Sequence, residues 1–379
     1  MSFFEPDRAS LTGNGWEALL AWMSRQRAES PVSFHQGAYH VFRAEAVRRV
    51  LSDSAEFSSD RTMLMPPMAQ LGRGNLTMMD PPDHTRMRSI VNKAFTSAAV
   101  NGLAGMVDEI ASGLVADLDP VGFDAVAQLA YPLPLLVIHQ MLGLPDSARA
   151  HFSTWSSAFN RADVAAMDEM HRFLVDVARY KRRDPGDDVM SRLTGSDVAG
   201  QPPSDDEVAS LAGLILLAGH VTTTSLIAAA LFEAIERPAL RPRAEDKMQI
   251  DALVEETLRV RPAFTQVTRI ASGDQEIDGV PVPHGSVVAA WVLSANHDET
   301  LNPRPEEFLL DRENRRYLSF GHGVHFCLGS PLARMEARSA IRALLSRFPR
   351  LRRSGDVLFH PQPTLAVSRL RLSEVSDVG

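Results

Sequence analysis

The sequence predicts a mainly α protein with a small β region, folded as one domain over residues 1–379. Three observations carry that prediction. The first is "VASLAGLILLAGHVTTTSLIAAALF", Val208 to Phe232, an apolar run too long for a strand. The second is helical patterning from Ser97 to about Leu118 and again through residues 134–182. The third is a switch at 269–293, "RIASGDQEIDGVPVPHGSVVAAWVL", where short β-prone runs alternate with Asp-Gly and His-Gly turn signals. No repeat, low-complexity block or linker divides the chain.

Taken in order, residues 33–42, "SFHQGAYHVF", read as two short strands about Gly37, with "EAVRRVL" as the helix that follows. Residues 60–79 hold two adjacent prolines, two glycines and five methionines, the composition of a long adaptable loop. In "DPPDHTRMRSIVNKAFT", Pro-Pro-Asp starts a helix. "DPGDD" at 184–188 is a turn, and "PPSDDE" at 202–207 opens the long apolar helix. Its centre carries His220, Thr222, Thr223 and Thr224, groups that are costly at mid-membrane depth, so a buried core helix is expected rather than a membrane span. Helix returns after Cys327 and runs to about Phe348.

Composition narrows the function. A chain of 379 residues that is 45% hydrophobic can bury a large core. Its single cysteine excludes an internal disulfide and a disulfide-stapled secreted scaffold. A net charge of −8 argues against general nucleic-acid affinity. The first twenty residues show no basic segment followed by an apolar one, so no signal peptide is read and a cytoplasmic protein without a membrane partner is expected.

Chemistry concentrates at "SFGHGVHFCLGSPLARMEAR", Ser319 to Arg338. Gly321 and Gly323 allow a tight bend, Gly329 admits close approach of something flat or bulky, and Ser330-Pro331 suits a helix's first turn. Cys327 would stand just before a helix N-terminus, which favours the thiolate. Four readings follow: a buried structural cysteine, a zinc site with His322 and His325, a nucleophilic thiol activated by histidine, or a thiolate ligand to haem iron. Zinc would need a fourth ligand that is not evident nearby.

"FGHGVHFCLG" resembles the haem-binding signature of the cytochrome P-450 family, Phe-Gly-x-Gly-x-His-x-Cys-x-Gly, at Phe320, Gly321, Gly323, His325, Cys327 and Gly329. The resemblance covers nearly the whole chain. It implies the triangular haem-thiolate fold of that family, haem b (iron protoporphyrin IX) as cofactor, and Cys327 as the metal ligand. "EETLR" supplies Glu256 and Arg259, which in the family fix the core behind the haem. Their usual third partner is the arginine of a Pro-x-Arg-Phe segment. Here that segment is "PEEF", with Glu307 in the arginine's place, and Arg304 or Arg312 are the substitutes to consider. His84 and Arg88 of "HTRMR", four apart on one helix face, match the family's propionate binders, as do Arg269 and His325.

On the long helix, "AGHVTTT" resembles the family's Ala-Gly-x-acid-Thr groove for dioxygen. Gly219 would admit the macrocycle. Thr222 would hydrogen-bond oxygen, turning its hydroxyl toward the Ala218 carbonyl. The acid's position is taken by Val221, which cannot relay a proton. Either His220 or water delivers protons, or the substrate supplies a polar group, or the reaction is atypical: oxidative coupling, peroxide-driven oxidation, dehydration or rearrangement. By analogy the substrate is lined by Met63, Met65, Met68, Met78 and Met79, by Phe159 to Met170, Leu217 and Thr223, and by residues 264–267 and 365–367.

Residues 334–353 hold seven arginines against one acid, Glu336, a positive face for an acidic ferredoxin fed by ferredoxin reductase. The resemblance implies an oxygen-dependent monooxygenase acting on a small or medium organic molecule, free or carrier-bound, and by analogy a place in secondary-metabolite biosynthesis. The non-enzymatic alternative is a haem-thiolate sensor.

Overall fold

The computed structural model describes residues 14–64, 75–161, 163–198, 200–359 and 366–375. The chain begins with α1 (Asn14–Glu29), β1 (Val32–His35), β2 (Ala38–Val41), α2 (Ala44–Ser52) and β3 (Phe57–Ser58). Next come α3 (Asp83–Ala94), α4 (Ser97–Gly102), α5 (Ala104–Ala116) and β4 (Phe123–Asp124). The middle holds α6 (Pro132–Leu142), α7 (Phe152–Arg161), α8 (Val164–Arg183), α9 (Val189–Thr194) and the long α10 (Asp205–Glu236). After it run α11 (Lys247–Val260), β5 (Val267–Ala271), β6 (Gln275–Ile277), β7 (Val280–Val282), β8 (Val287–Ala290) and α12 (Val292–Asn296). The chain closes with α13 (Ser330–Arg347), β9 (Leu351–Phe359) and β10 (Val367–Glu374).

Contacts group the chain into two compact units. One takes the described residues up to Ser58, Ala111–Tyr131 and those from Thr222 onward; the other takes Ser59–Ile110 and Pro132–Val221. The first unit carries the β structure. Strands β1 and β2 pair from Val32↔Val41 to His35↔Ala38 around Gln36 and Gly37, whose φ angles of 46° and 81° are those of a two-residue hairpin turn. The sheet order is β1-β2-β8-β5-β3, with β2 and β8 parallel. Its apolar face meets α2, where Ala44, Val47, Val50 and Leu51 recur at helical spacing and join Val41, Phe57 and Val288 in one cluster.

A second sheet of this unit, β4-β10-β9, was not foreseen. In "LRRSGDVLF" only the end residues Leu351 and Phe359 are buried, so the sequence shows no alternation to read. Helix α1 was also unforeseen.

The helical stretches expected at 97–118 and 134–182 are each interrupted. The first breaks at Leu103. The second breaks at Gly143, whose φ of +63° leaves the helical region, and again before α8, where Asp163 caps by accepting from Ala166 N at 3.1 Å. Helix α8 lies close against α10: a Cβ on Gly213 would sit 3.3 Å from Met170 Cε. Helix α10 is long and apolar enough to cross a membrane, and 56% of that apolar window is buried within the protein.

Candidate active site

The cysteine turn is built from backbone. Cys327 N donates to Phe320 O at 2.9 Å, Gly321 N to Leu318 O at 2.8 Å and Phe326 N to Gly323 O at 3.1 Å. Gly321 and Gly323 take φ angles of +73° and +72°. At Gly323 a Cβ would stand 2.7 Å from Ser52 Cα, so glycine is demanded there twice over. At Gly329 a Cβ would meet nothing within 4 Å, leaving open space beside the turn for a flat group. Gly329 is the N-cap of α13, and Pro331 occupies its first turn.

Behind the turn lies a buried charge cluster. Glu256 and Arg259, both 0% exposed, pair at 2.7 Å. The third partner left open by the sequence is Arg312, 3.0 Å from Glu256, and it is joined by Arg315 at 2.8 Å. Arg304 is not a partner; it pairs with Glu307 on the surface. Burial pushes the Glu256 carboxyl up, but Arg259, the Leu309 N–H and Arg315 outweigh it and hold the group below its ordinary value.

The cluster reaches the turn through Asn296. Arg259 donates to Asn296 O at 3.2 Å, Asn296 Nδ2 donates to Ser319 Oγ at 2.9 Å, and Leu318 N donates to Asn296 Oδ1 at 2.7 Å. Phe320 is held from its other side by the Arg334 guanidinium, 4.5 Å from its ring centroid and itself fixed by Glu255 at 2.6 Å.

The remaining candidates fall on several elements. His325 lies in the short 3-10 turn Gly323–His325 of the cysteine segment. Arg269 stands on β5, 6% exposed, with Nη1 donating to Thr268 O at 3.0 Å. His84 and Arg88 share one face of α3; burial, and then the charge of Arg88, hold the His84 imidazole below its ordinary value.

On α10, Gly219 has a local reason to be glycine: its Cβ would come within 2.9 Å of Ile138 Cδ1 from α6. His220 is 1% exposed. Two residues along a helix turn by about 200°, so His220 and Thr222 point to opposite faces, and the helix does not bring them together. Val221 is partly buried beside Thr222.

Part of the expected substrate lining converges. Thr265, Ala366 and Val367 border one cleft with Ser225, three residues beyond Thr222, and with Trp16 and Arg261, which the sequence did not suggest. Arg261 is a buried cation lowered by burial to about 9 and held by Glu233. Phe264, expected in an apolar pocket, is 44% exposed. In the second unit Leu217 packs against Ala166 and Met167. The side chains of Met63 and Phe159, together with Met65, Met68 and Leu365, lie outside the described residues.

The arginine face is smaller than the sequence count implies. Arg334 is held by Glu255, Arg338 by Asp251 at 2.7 Å, Arg353 by Glu236 at 3.3 Å, and Arg347 donates to Leu118 O. Glu336, the acid counted against them, is 1% exposed and does not neutralise the surface.

The donor set fits haem. Among the described residues no three His, Cys, Asp or Glu side chains group as a metal site, which removes the zinc reading for His322, His325 and Cys327. A lone thiol in an open turn suits a metal whose other ligands arrive with its cofactor.

Comparison with known proteins agrees. Residues 134–364 match the cytochrome P450 family. The erythromycin C-12 hydroxylase of Saccharopolyspora erythraea is 39% identical over 88% of this chain and 88% of its own length. This chain belongs to the cytochrome P450 family. The cyclomarin C epoxidase CymV of Salinispora arenicola is 35% identical, over 94% of the chain and 95% of the relative. Ligand-free cytochrome P450 TbtJ1 superposes with a TM-score of 0.89 at 39% identity, covering 95% and 98% of the two chains. The P450 fold, mainly helical with a small β region, is thus established, as is a haem-dependent monooxygenase that works on small organic substrates with dioxygen and redox partners.

Proposed function

We propose that the Cys327 thiolate would hold the iron of haem b, that His84, Arg88, Arg269 and His325 would hold its propionates, and that residues 1–379 form a single haem domain in the cytoplasm. The observation that carries this reading is the cysteine turn, bent by two positive-φ glycines and fixed through Asn296 and Ser319 to the buried Glu256 cluster. Thiolate-bound haem supplies the electron density that favours splitting the O–O bond. The chain's own residues then set access and proton supply. Phe320 and Gly329 border the cysteine, while Thr222 offers a hydroxyl from α10.

The substrate is read as a secondary metabolite, by likeness to relatives named for erythromycin and cyclomarin C. Electrons are read as coming from a ferredoxin and its reductase at the face of α13.

Val221 supports a second reading, in which the reaction draws less on proton delivery from α10 than an ordinary hydroxylation does. Because His220 and Thr222 project from opposite helical faces, this reading gives the proton to the substrate or to water. Val221→Glu is expected to change the share of consumed oxygen that ends as product rather than peroxide; unchanged peroxide release would show that position 221 is not the relay.

The primary test is spectroscopic. The ferrous carbonyl complex should show the red-shifted Soret band of a thiolate ligand, and Cys327→His should move it to the imidazole position. A band unaffected by Cys327→His would refute the assignment. Titrating the ferric protein with candidate metabolites then identifies the substrate class by displacement of the Soret band.

A further inference from the structure

Arg61 lies three residues beyond β3, and no described residue accepts a hydrogen bond from its guanidinium or pairs with it; its Nε is buried without a partner. The acids close by are directed elsewhere. Asp60 Oδ1 accepts from Thr62 N at 2.9 Å and from Thr62 Oγ1 at 2.7 Å, and Asp80 Oδ1 accepts from Ser59 N at 2.9 Å. More deeply buried arginines are partnered: Arg27 reaches Ser294 O at 3.3 Å, Arg259 has Glu256, and Arg261 has Glu233. Arg61 is partly buried, and a guanidinium whose Nε is shut off from water with neither hydrogen bond nor counter-charge is unfavourable. A chain that keeps one has an anion to meet it when the protein is loaded.

The position of Arg61 limits what that anion is. Asp80 ties two strands of chain together: its carboxylate takes the Ser59 N–H, and its carbonyl takes His84 N at 3.0 Å. The segment carrying Arg61 is therefore fastened to the first turn of α3, the helix of His84 and Arg88. A planar guanidinium fork matches a carboxylate in two parallel hydrogen bonds.

We infer that Arg61 is a carboxylate-binding residue of the loaded enzyme, acting in addition to His84 and Arg88. The carboxylate belongs either to a haem propionate or to the substrate. Both sources rest on the haem reading above, and the propionate is the expected one, because His84 and Arg88 are assigned to it there.

The test uses Arg61→Gln and Arg61→Lys holoenzymes with wild-type far-UV circular dichroism. Two readouts separate the sources. One is haem retention, measured as transfer to apomyoglobin, together with the midpoint potential of the iron. The other is Soret titration with laurate and with lauramide, which differ in charge at one end. For a propionate partner, Arg61→Gln releases haem roughly tenfold faster or more, and its potential becomes more negative. Arg61→Lys keeps most of the potential but less of the retention, since it keeps the charge and loses the fork. The laurate-to-lauramide ratio then stays at the wild-type value.

For a substrate partner, retention and potential stay unchanged and the preference for laurate over lauramide is lost in Arg61→Gln. If neither readout moves in a folded variant, Arg61 is a tolerated buried cation and the inference is overturned. Should Arg61→Gln fail to fold, Arg61→Lys decides by the same two readouts. A wild-type protein purified without a haem Soret band would overturn the functional reading and this inference together.

Discussion

Replacing Glu256 by glutamine tests the cluster that fixes the cysteine turn. One carboxylate at 0% exposure faces Arg259 at 0%, Arg312 at 3% and Arg315 at 14%, so three cations less one anion leave a local charge of +2. The amide raises that to +3. Breaking a buried pair from one side costs about 3–5 kcal/mol. For 379 residues, an unfolding entropy of ~2.1 cal/mol/K per residue sums to ~0.8 kcal/mol/K, so Tm should fall by ~4–6 °C.

Arg315→Met should cost less, about 1–2 kcal/mol, since it removes one of two excess cations. Arg312→Met should fall between the two, because Arg312 also donates to Arg304 O at 3.1 Å and Glu307 O at 2.7 Å. Thermal melts followed at the Soret band and by far-UV circular dichroism check the order. In Glu256→Gln the Soret signal should be lost first, since Asn296 and Ser319 link the cluster to the turn. Acid should act in the same direction. The folded pKa of Glu256 lies below its ordinary value of 4.5, so its stabilisation is present above that pH and is lost as pH falls through the folded value. The reasoning is refuted if Arg315→Met is as damaging as Glu256→Gln, or if Glu256→Gln melts like the wild type.

Three further outcomes are expected. Gly219→Ala should destabilise, because its Cβ meets Ile138 Cδ1 at 2.9 Å, yet in an Ile138→Val background, which lacks that atom, it should stabilise by about 1 kcal/mol through helix propensity; thermal melts of the four proteins give both signs. Gly323→Ala should abolish folded haem protein, since its Cβ would meet backbone at Ser52, whereas Gly321→Ala, with its nearest neighbour at 3.7 Å, should lose only about 1–2 kcal/mol of backbone strain; the Soret-to-protein absorbance ratio distinguishes them. Glu336 is 1% exposed, its Oε2 is unpartnered, and burial raises its pKa well above the ordinary 4.5. A raised acid favours the folded state at low pH and penalises it as pH climbs toward the folded value, so Glu336→Gln should raise Tm at pH 8 more than at pH 5; equal shifts would refute this.

What the sequence made legible follows from where its signals are local. The turn around Cys327 could be read because glycine spacing and a helix-starting Ser330-Pro331 sit within ten residues of it. The hairpin at Gly37 and the buried character of α10 were legible for the same reason. The second sheet was not, because β9 buries only its ends, and the breaks at Leu103 and Gly143 were passed over because their short stop signals, Asn101-Gly102 and Gly143-Leu144-Pro145, lie inside long helical stretches. Arg315 was missed for a different reason. Nothing in "DRENRR" distinguishes an arginine that turns inward to Glu256 from one that faces solvent. Counting charge along α13 misled in the opposite direction, since Glu255, Asp251 and Glu236 come from other parts of the chain.

The same distinction explains how the cluster works without an arginine at position 307. What Arg259 takes from that segment is backbone: the carbonyls of Pro305 at 2.7 Å and Glu307 at 2.9 Å. Those acceptors do not depend on which side chains stand there, so Glu307 is free to face solvent and pair with Arg304. The missing positive charge is supplied from Arg312 and Arg315, five and eight residues further on, which bend back over the same carboxylate. A motif read as side chains appears broken here; read as three guanidiniums, one carboxylate and a run of carbonyls, it is complete. The sharper consequence concerns α10, where position 221 itself carries valine and no ionisable group. A backbone can deliver a carbonyl from any residue, but valine has no proton to give, so a relay past position 221 has to run through water, a substrate group or another side chain.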